Sequence, residues 1–257
     1  MHRRKFMLAA SGGAAAAGSS AAGPTKPQYF QMHWFYMRDG TQPQRANDFF
    51  GKVYAPALAK LGLPAAGFFQ PLIAEQSPFW LVLVTHPSLD SIETVTARLN
   101  ADSSYRKGAA DYLSGELPYQ RREITVLRAF PGMPALMPPP AKSSGGSRIF
   151  EIRTYESNTS LTLERKIKMF EGGEIGIFQR LGMSPVFFGE TIIGRNIPSL
   201  TYMLAYDDLA AREKLWKDFG SDPEWQKLRA LPGNSDSEIV SNISNLIVRP
   251  APFSQIK

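Results

Sequence analysis

The chain has 257 residues, 43% of them hydrophobic, which is enough for one or two domains with a buried core. It has no cysteine, so disulfides, thiolate catalysis and cysteine-ligated metals are excluded. The formal net charge is +6, but three of these charges lie at Arg3, Arg4 and Lys5, leaving a weak surplus elsewhere. Without a dense basic run, this surplus argues against nucleic acid binding.

The N-terminus predicts export. Arg3 and Arg4 precede Phe6 and an uncharged stretch rich in alanine and glycine at residues 9–22. We interpret residues 1–26 as a twin-arginine (Tat) signal peptide, which the Tat export machinery reads through its paired arginines. We therefore expect a periplasmic or secreted protein. No later segment is apolar over the ~20 residues that a membrane-spanning helix needs, so no membrane span is expected.

An internal repeat follows. An offset of 120 residues aligns the two halves without a gap, which indicates an old duplication. The aligned pairs include Phe30 with Phe150, Phe50 with Phe170, Leu61-Gly62 with Leu181-Gly182, Phe68 with Phe188, Asp102 with Asp222 and Lys107 with Lys227. A segment rich in proline, serine and glycine separates the halves and is typical of a linker. We predict modules at residues 27–130 and 148–253, joined by a linker at 131–147.

Each module shows the same succession of apolar patterns. In chain order, the first predicts strand Tyr29–Tyr36, a helix over 50–61, strands Gly67–Ala74 and Phe79–Thr85, a short helix over 92–99 and strand Glu123–Phe130. The second predicts strand Ile149–Tyr155, a helix over 167–181, strands Val186–Ile193 and Leu200–Tyr206, a short helix over 215–219 and strand Glu238–Val248. The order β-α-β-β-α-β is that of a ferredoxin-like module.

The strand that begins at Phe79 is apolar without alternation up to Val84. A strand of this kind needs cover on both faces. Helices can cover one face, and the sheet of the other module can cover the second. The sequence therefore predicts an α+β protein in which two tandem ferredoxin-like modules pack as an intramolecular dimeric α/β barrel.

The second module resembles the NIPSNAP domain family over residues 148–253. The segments that carry the resemblance are Glu151-Ile-Arg-Thr-Tyr155, Phe178-Gln-Arg-Leu-Gly-Met183, Pro185-Val-Phe-Phe-Gly-Glu190, Asn196-Ile-Pro-Ser-Leu-Thr-Tyr-Met203, Trp216-Lys-Asp-Phe219 and Asp222-Pro-Glu-Trp225. The resemblance implies the fold of the dimeric α/β barrel superfamily. It associates eukaryotic members with proposed vesicle-transport and protein-interaction roles, and relatives in the superfamily with monooxygenation and haem degradation. Fold alone does not fix function.

Three polar residues form the candidate site of the second module. Glu151, Arg153 and Tyr155 alternate along one strand and therefore share one face. Arg153 could bind a ligand carboxylate or carbonyl and Tyr155 could donate a hydrogen bond, which would make this face the wall of a polar cavity. The other interpretation is an internal pair of Glu151 and Arg153 that orders the sheet.

The first module has lost this triplet. Gln31, His33 and Phe35 occupy the corresponding positions, and His86 follows the third strand. The two histidines could be acid/base groups or haem ligands, or they could be structural. We include His33 among the candidate ligand-binding residues and expect at most one pocket of this type, in the second module. Metal sites usually need three or more protein ligands, so no metal is predicted.

Three other features have simpler interpretations. Glu171-Gly-Gly-Glu174 interrupts a helix, either as a kink or because a ligand or another backbone approaches closely. Asp207-Asp208 precedes a helix and is typical of an N-cap. The aromatic residues Trp216, Phe219 and Trp225 are expected in the core.

No catalytic signature decides whether the protein is an enzyme, and the sequence requires no cofactor. The leading interpretation is an exported NIPSNAP-domain protein that binds a small ligand or a protein partner. The alternative is a cofactor-independent or haem-linked oxidoreductase, similar to a monooxygenase, that uses the cavity of the barrel.

Overall fold

The computed structural model describes residues 26–140 and 147–257. The predicted signal peptide, apart from Lys26, lies outside the described residues, as do residues 141–146 of the predicted linker. Within the described ranges, none of the helices is both long enough and apolar enough to cross a membrane.

The strands lie close to the predicted ones. They are β1 Tyr29–Tyr36, β2 Ala66–Ile73, β3 Phe79–His86, β4 Arg121–Ala129, β5 Ile149–Glu156, β6 Ser184–Ile193, β7 Ser199–Tyr206 and β8 Asn242–Pro250. The helices are α1 Thr41–Phe49, α2 Ala55–Ala59, α3 Asp90–Ala101, α4 Ser103–Leu113, α5 Ser160–Met169, α6 Ile175–Arg180, α7 Leu209–Ser221, α8 Pro223–Arg229 and α9 Asp236–Ile239. Each half therefore has the order β-α-β-β-α-β, with more than one helix at each helical step.

The described strands close into one barrel within the chain. Their order around the barrel is β1-β3-β2-β8-β5-β7-β6-β4, and neighbours are antiparallel. The pairs β2–β8 and β4–β6 join the two halves. The prediction of an α+β protein with a barrel is confirmed.

The strands at the centre of each half are covered on both faces. All residues of β3 and β7 are buried, as the unbroken apolar run from Phe79 predicted. On β1, Phe30 and Met32 pack inside the barrel, whereas Phe35 packs under the helices of the first half. Alternate residues of a strand thus supply two different cores.

An apolar core fills one end of the barrel. The rings of Phe30 and Phe187 are tilted against each other with centroids 4.8 Å apart, and those of Phe69 and Phe150 meet edge to face at 5.3 Å. These four rings are fully buried and come from both halves. The other end contains the tips of the strands near Tyr36 and is less densely filled.

Several predicted boundaries were wrong. The helices predicted over 50–61 and 167–181 begin earlier, at Thr41 and Ser160. Strand Glu238–Val248 was placed too early, because Asp236–Ile239 forms α9, and the strand begins only at Asn242. The cause is a capping box at the start of α9, which Ser235 and Glu238 form together. The single short helix predicted in each half is two helices, α3 with α4 and α7 with α8, because Asp102 and Asp222 break the run and cap the helix that follows. The predicted N-cap at Asp208 is confirmed by its hydrogen bond from the Ala211 amide, at 2.8 Å.

A π-helical turn recurs at equivalent positions, Phe50–Tyr54 and Phe170–Glu174. In the first half, a Cβ on Gly108 of α4 would lie 2.6 Å from Val53 Cγ2. In the second half the glycine lies in the π-helical turn and the larger residue lies in the neighbouring helix. A Cβ on Gly173 would lie 3.1 Å from Leu228 Cδ2 of α8. Gly173 therefore provides room for a side chain of a neighbouring helix, whereas a Cβ on Gly172 would meet nothing within 4 Å.

Candidate functional site

The predicted triplet faces the helices and not the inside of the barrel. Tyr155 belongs to the core under the helices of the second half, whereas Ile152 and Thr154 of the same strand face the lumen. Glu151 and Arg153 therefore occupy the face of β5 that points away from the lumen, and any polar cavity that they line would lie under the helices.

Glu151 is fully buried and is the centre of a hydrogen-bond network. Its carboxylate accepts bonds from Arg153 Nη1 at 3.1 Å, Trp216 Nε1 at 2.7 Å and Asn245 Nδ2 at 3.2 Å, and from the guanidinium of Arg212. Burial alone would raise the pKa of Glu151, but the bond from Arg212 and the charge of Arg153 outweigh burial and lower it. The carboxylate is thus held ionised by groups of the protein itself.

Arg153 and Tyr155 belong to the same network. Arg153 Nη2 donates to Tyr155 Oη at 3.2 Å, and its guanidinium lies 4.5 Å from the centre of the Trp216 ring. Tyr202 Oη in turn donates to Tyr155 Oη at 3.0 Å. The predicted internal pairing of Glu151 and Arg153 is present in the structure.

A second buried ion pair lies beside this network. Lys166 and Glu174 are both almost fully buried, with Nζ 3.4 Å from Oε2. Asp236 lies 3.6 Å from the same Nζ, which also faces the ring of Tyr155 at 5.3 Å. Burial raises the pKa of Glu174 to about 7, although the charge of Lys166 opposes the shift. The π-helical turn, which ends at Glu174, positions this carboxyl.

The first half keeps a reduced version of the network. His33 is buried, and Arg122 Nη2 lies 2.9 Å from its Nδ1. His86 Nε2 lies 3.2 Å from Gln31 Oε1, and its Nδ1 lies 3.1 Å from Ser91 Oγ.

Both histidines stay neutral over a wide pH range. Burial lowers the pKa of His33 to about 3, with further contributions from the charges of Arg122 and His86. Burial also lowers the pKa of His86 to about 4. In residues 26–140 and 147–257, no group of three His, Asp or Glu side chains could hold a metal ion. Contacts within the protein thus account for the burial of His33 and of the triplet in the second half, and their ligand-binding role stays a prediction.

A cavity of about 370 Å³ opens at the less filled end of the barrel. One wall comes from the first half and carries the side chains of Met32, Trp34, Tyr36 and Phe79. The facing wall comes mainly from the second half and carries hydroxyl groups, those of Thr154, Thr191, Ser199, Thr201 and Ser244, together with Thr125 of the first half. We call this space the mouth cavity.

The rim of the mouth cavity is charged but balanced. Glu123 Oε1 lies 2.6 Å from Arg121 Nε and 2.9 Å from Arg195 Nη1. Arg121 also donates to Gln76 Oε1 at 2.9 Å, and its guanidinium lies 4.3 Å from the Tyr36 ring centre. Two strands and two loops from both halves are tied together at this rim.

Some hydroxyls of the cavity are bonded to each other. Thr154 Oγ1 and Thr201 Oγ1 are 2.9 Å apart, and Ser199 Oγ donates to Thr191 Oγ1 at 2.9 Å. A hydroxyl offers one donor and two acceptor positions, so each retains capacity for a ligand. The cavity can therefore bind a small molecule through both apolar and hydroxyl contacts.

Sequence reasoning missed the mouth cavity. Its residues alternate with those that were singled out, since Trp34 lies between His33 and Phe35, and Thr154 lies between Arg153 and Tyr155. The available signal for the cavity was that Thr and Ser recur near the ends of several strands whose other residues are mostly apolar. The position of β1 opposite β5 across the barrel, which turns these residues toward each other, could not be seen in either half alone.

The fold defines an α+β barrel protein with structural neighbours in solved structures. A candidate monooxygenase from Lactobacillus acidophilus has a TM-score of 0.57 and 9% identity, covering 87% of this chain and 94% of its own. An anthrone oxidase-like protein has a TM-score of 0.53 and 10% identity, covering 88% and 92%. At these identities the likeness shows the fold alone.

Residues 150–255 match the family model of NIPSNAP. A NIPSNAP-like domain protein from Burkholderia xenovorans is 24% identical over 42% of this chain and 88% of its own, with a TM-score of 0.37. No curated protein matches the sequence.

Proposed function

We propose that this chain is an exported NIPSNAP-domain protein that binds a small ligand in the mouth cavity. The observation that carries the proposal is the cavity itself, at about 370 Å³, with an apolar wall from one half and a hydroxyl wall from the other. Small-molecule sites typically measure ~300–1,000 Å³ and combine apolar walls with a few polar groups. The two halves, as tandem ferredoxin-like modules, would each contribute one wall.

The mouth cavity is favoured over the predicted triplet. Glu151 already accepts bonds from four side chains, so an anionic ligand of Arg153 would have to compete with a buried carboxylate. Turning Arg153 toward a ligand would remove one of the partners of the buried Glu151 carboxylate, which costs free energy. The cavity hydroxyls have no such competitor.

Native mass spectrometry of protein purified from its own periplasm tests the proposal. We expect a small molecule to be retained by the wild type and by Ser241→Trp, and lost from Ser244→Trp. Ser244 lines the cavity and is exposed, so its tryptophan blocks the opening without entering the core. Ser241 is exposed on the same segment and does not line the cavity, which makes it the matched control. Retention of a protein in place of a small molecule, or equal retention by both variants, would contradict ligand binding in the cavity.

Export is proposed on the pattern of Arg3 and Arg4 before a weakly hydrophobic stretch. We expect Arg3→Lys/Arg4→Lys to accumulate in the cytoplasm with its leader intact, because the Tat machinery reads the paired arginines. Fractionation and intact-mass measurement follow both species, with Lys5→Arg as a control that keeps the pair. A normal periplasmic yield of the double variant would refute the Tat assignment.

The second candidate function is oxidation of the bound molecule. The names of two fold neighbours, a candidate monooxygenase and an anthrone oxidase-like protein, favour it. It would use the same cavity without a resident cofactor or with haem. Incubation of the purified protein with its retained ligand, followed by oxygen uptake and product mass, separates catalysis from binding. Consumption of oxygen that is lost in Ser244→Trp would favour the enzyme.

A further inference from the structure

The two walls of the mouth cavity face each other across the barrel. In the strand order, β1 lies four places from β5, and β3 lies four places from β7. Trp34 and Tyr36 on β1, and Phe79 on β3, are therefore opposite Thr154 on β5 and Thr201 on β7. A ligand in this space meets aromatic rings on one side and hydroxyls on the other.

The aromatic wall consists of three neighbouring rings, with the Phe79 ring inclined by 62° to that of Trp34 and by 59° to that of Tyr36. The ring centroid of Phe79 lies 5.5 Å from that of Trp34 and 6.0 Å from that of Tyr36. Trp34 and Tyr36 are only partly buried, so part of each ring stays accessible. Such a surface gains from contact with C–H groups, because rings bury a large apolar area and carry a negative face.

The charge balance argues for a neutral ligand. The charged residues of the lining are Arg121 and Arg195, which are positive, and Glu75 and Glu123, which are negative. Glu123 already pairs with both arginines. The four charges sum to zero, so the lining offers no net charge that would attract an anion or a cation.

We propose that the ligand is a neutral saccharide unit in ring form, an inference that rests on the proposed function. A pyranose ring has a face of C–H groups and a periphery of hydroxyls, which matches the two walls. Hydroxyl side chains donate and accept equally well, as the hydroxyls of a sugar require. An apolar chain or a bare aromatic ring would desolvate the hydroxyl wall without replacing its hydrogen bonds, which is unfavourable.

Calorimetric titration of the exported protein tests the saccharide assignment. The panel contains glucose, galactose, mannose and N-acetylglucosamine, their β-1,4-linked dimers, glucuronate as the charged analogue, and resorcinol as a hydroxylated aromatic compound. We expect saturable binding of at least one neutral saccharide. Glucuronate should bind about tenfold more weakly than glucose or not at all, since it adds a charge that the balanced rim does not complement.

Three variants locate the binding. Thr201→Val keeps the shape of a β-branched residue and removes one hydroxyl, so affinity for the saccharide should fall about tenfold. Trp34→Ala should abolish it, and Thr94→Val, which makes the same change on the exposed surface of α3, should leave it unchanged. Thermal unfolding checks that each variant is folded. If Trp34→Ala does not fold, Ser244→Trp takes its place as the variant that blocks the cavity.

Two results would overturn the inference. One is an absence of binding across the neutral saccharides, and the other is saccharide binding that neither Thr201→Val nor Trp34→Ala reduces. Tight binding of resorcinol alone would assign the cavity to aromatic compounds. If native mass spectrometry still shows a non-saccharide molecule that Ser244→Trp loses, the proposed ligand-binding function stands while the saccharide assignment fails.

Discussion

Arg153 is held by the protein itself. Its guanidinium contacts the buried Glu151, the hydroxyl of Tyr155 and the ring of Trp216. Arg212 shares the same carboxylate from α7. This arrangement ties β5 to the helix above it, and it accounts for the alternation of acid, guanidinium and phenol on one face of the strand.

We expect Arg153→Ala to lower the free energy of unfolding by about 3 kcal/mol, because it removes one partner of a buried carboxylate. Arg128→Ala is the matched control, since its pair with Glu190 is half exposed and should contribute less than about 1 kcal/mol. Urea denaturation measures both. Loss of the retained ligand from Arg153→Ala, with stability close to the wild type, would instead make Arg153 a ligand residue.

His33 predicts acid sensitivity. Its pKa is about 3 in the folded protein against 6.5 for the free side chain, so below pH 6.5 the unfolded chain binds a proton that the folded chain does not. The contribution of neutral His33 to the free energy of unfolding is therefore complete above the pKa of the unfolded chain, and it declines as the pH falls toward the pKa of the folded protein. Between about pH 6.5 and pH 5, His33 should lower the free energy of unfolding of the wild type by up to about 2 kcal/mol. We expect His33→Gln to remove this part of the decrease. Denaturant titrations at several pH values test this prediction, with Thr94→Val as the control. If the free energy of unfolding depends on pH equally in the wild type and in His33→Gln, the prediction is wrong.

At the scale of elements, strands were predictable and helix breaks were not. The strand Tyr29–Tyr36 was predicted with its observed bounds, because five of its eight residues are aromatic, and aromatic residues favour strands. The start of β8 was mispredicted because Ser235 and Glu238 form a capping box, a local signal for a helix that competes with the apolar pattern after it. The glycine pair in Glu171-Gly-Gly-Glu174 marked an interruption at the second π-helical turn, whereas the first, Phe50–Tyr54, gave no such signal.

The close packing of Gly108 against Val53 in the first π-helical turn can be tested by substitution. Gly108→Ala should lower the free energy of unfolding by about 1–3 kcal/mol through overpacking against Val53. This loss would exceed the gain of up to about 1 kcal/mol that alanine brings to a helix. Combining it with Val53→Ala removes both clashing carbons and should recover part of the loss. A double-mutant cycle measures the coupling, and purely additive effects would show that the two residues do not share this contact.

At the scale of the whole molecule, the candidate site exists only because the halves close one barrel. The internal repeat and the doubly apolar strand at Phe79 were enough to predict that closure. They could not show which residues face the lumen near the open end, because that depends on the register of β2 with β8 and β4 with β6. The duplicated halves have diverged here, so that one supplies rings and the other supplies hydroxyls.

The seam between β4 and β6 offers a test of that closure. Gly189 on β6 pairs with Ala129 on β4, and a Cβ on Gly189 would lie 2.8 Å from Leu127 Cβ. Both atoms belong to stiff parts of the strands, so Gly189→Ala must push the seam apart, at about 1–3 kcal/mol.

Because the barrel is continuous, both halves should lose stability together, in one cooperative transition. Hydrogen exchange of β3 and β7, measured by mass spectrometry, follows each half separately. Gly220→Ala is the control, since a Cβ there meets nothing within 4 Å and alanine favours the helix that contains it. If β7 loses protection while β3 keeps the wild-type level, the halves fold independently, and the mouth cavity is not a product of one cooperative barrel.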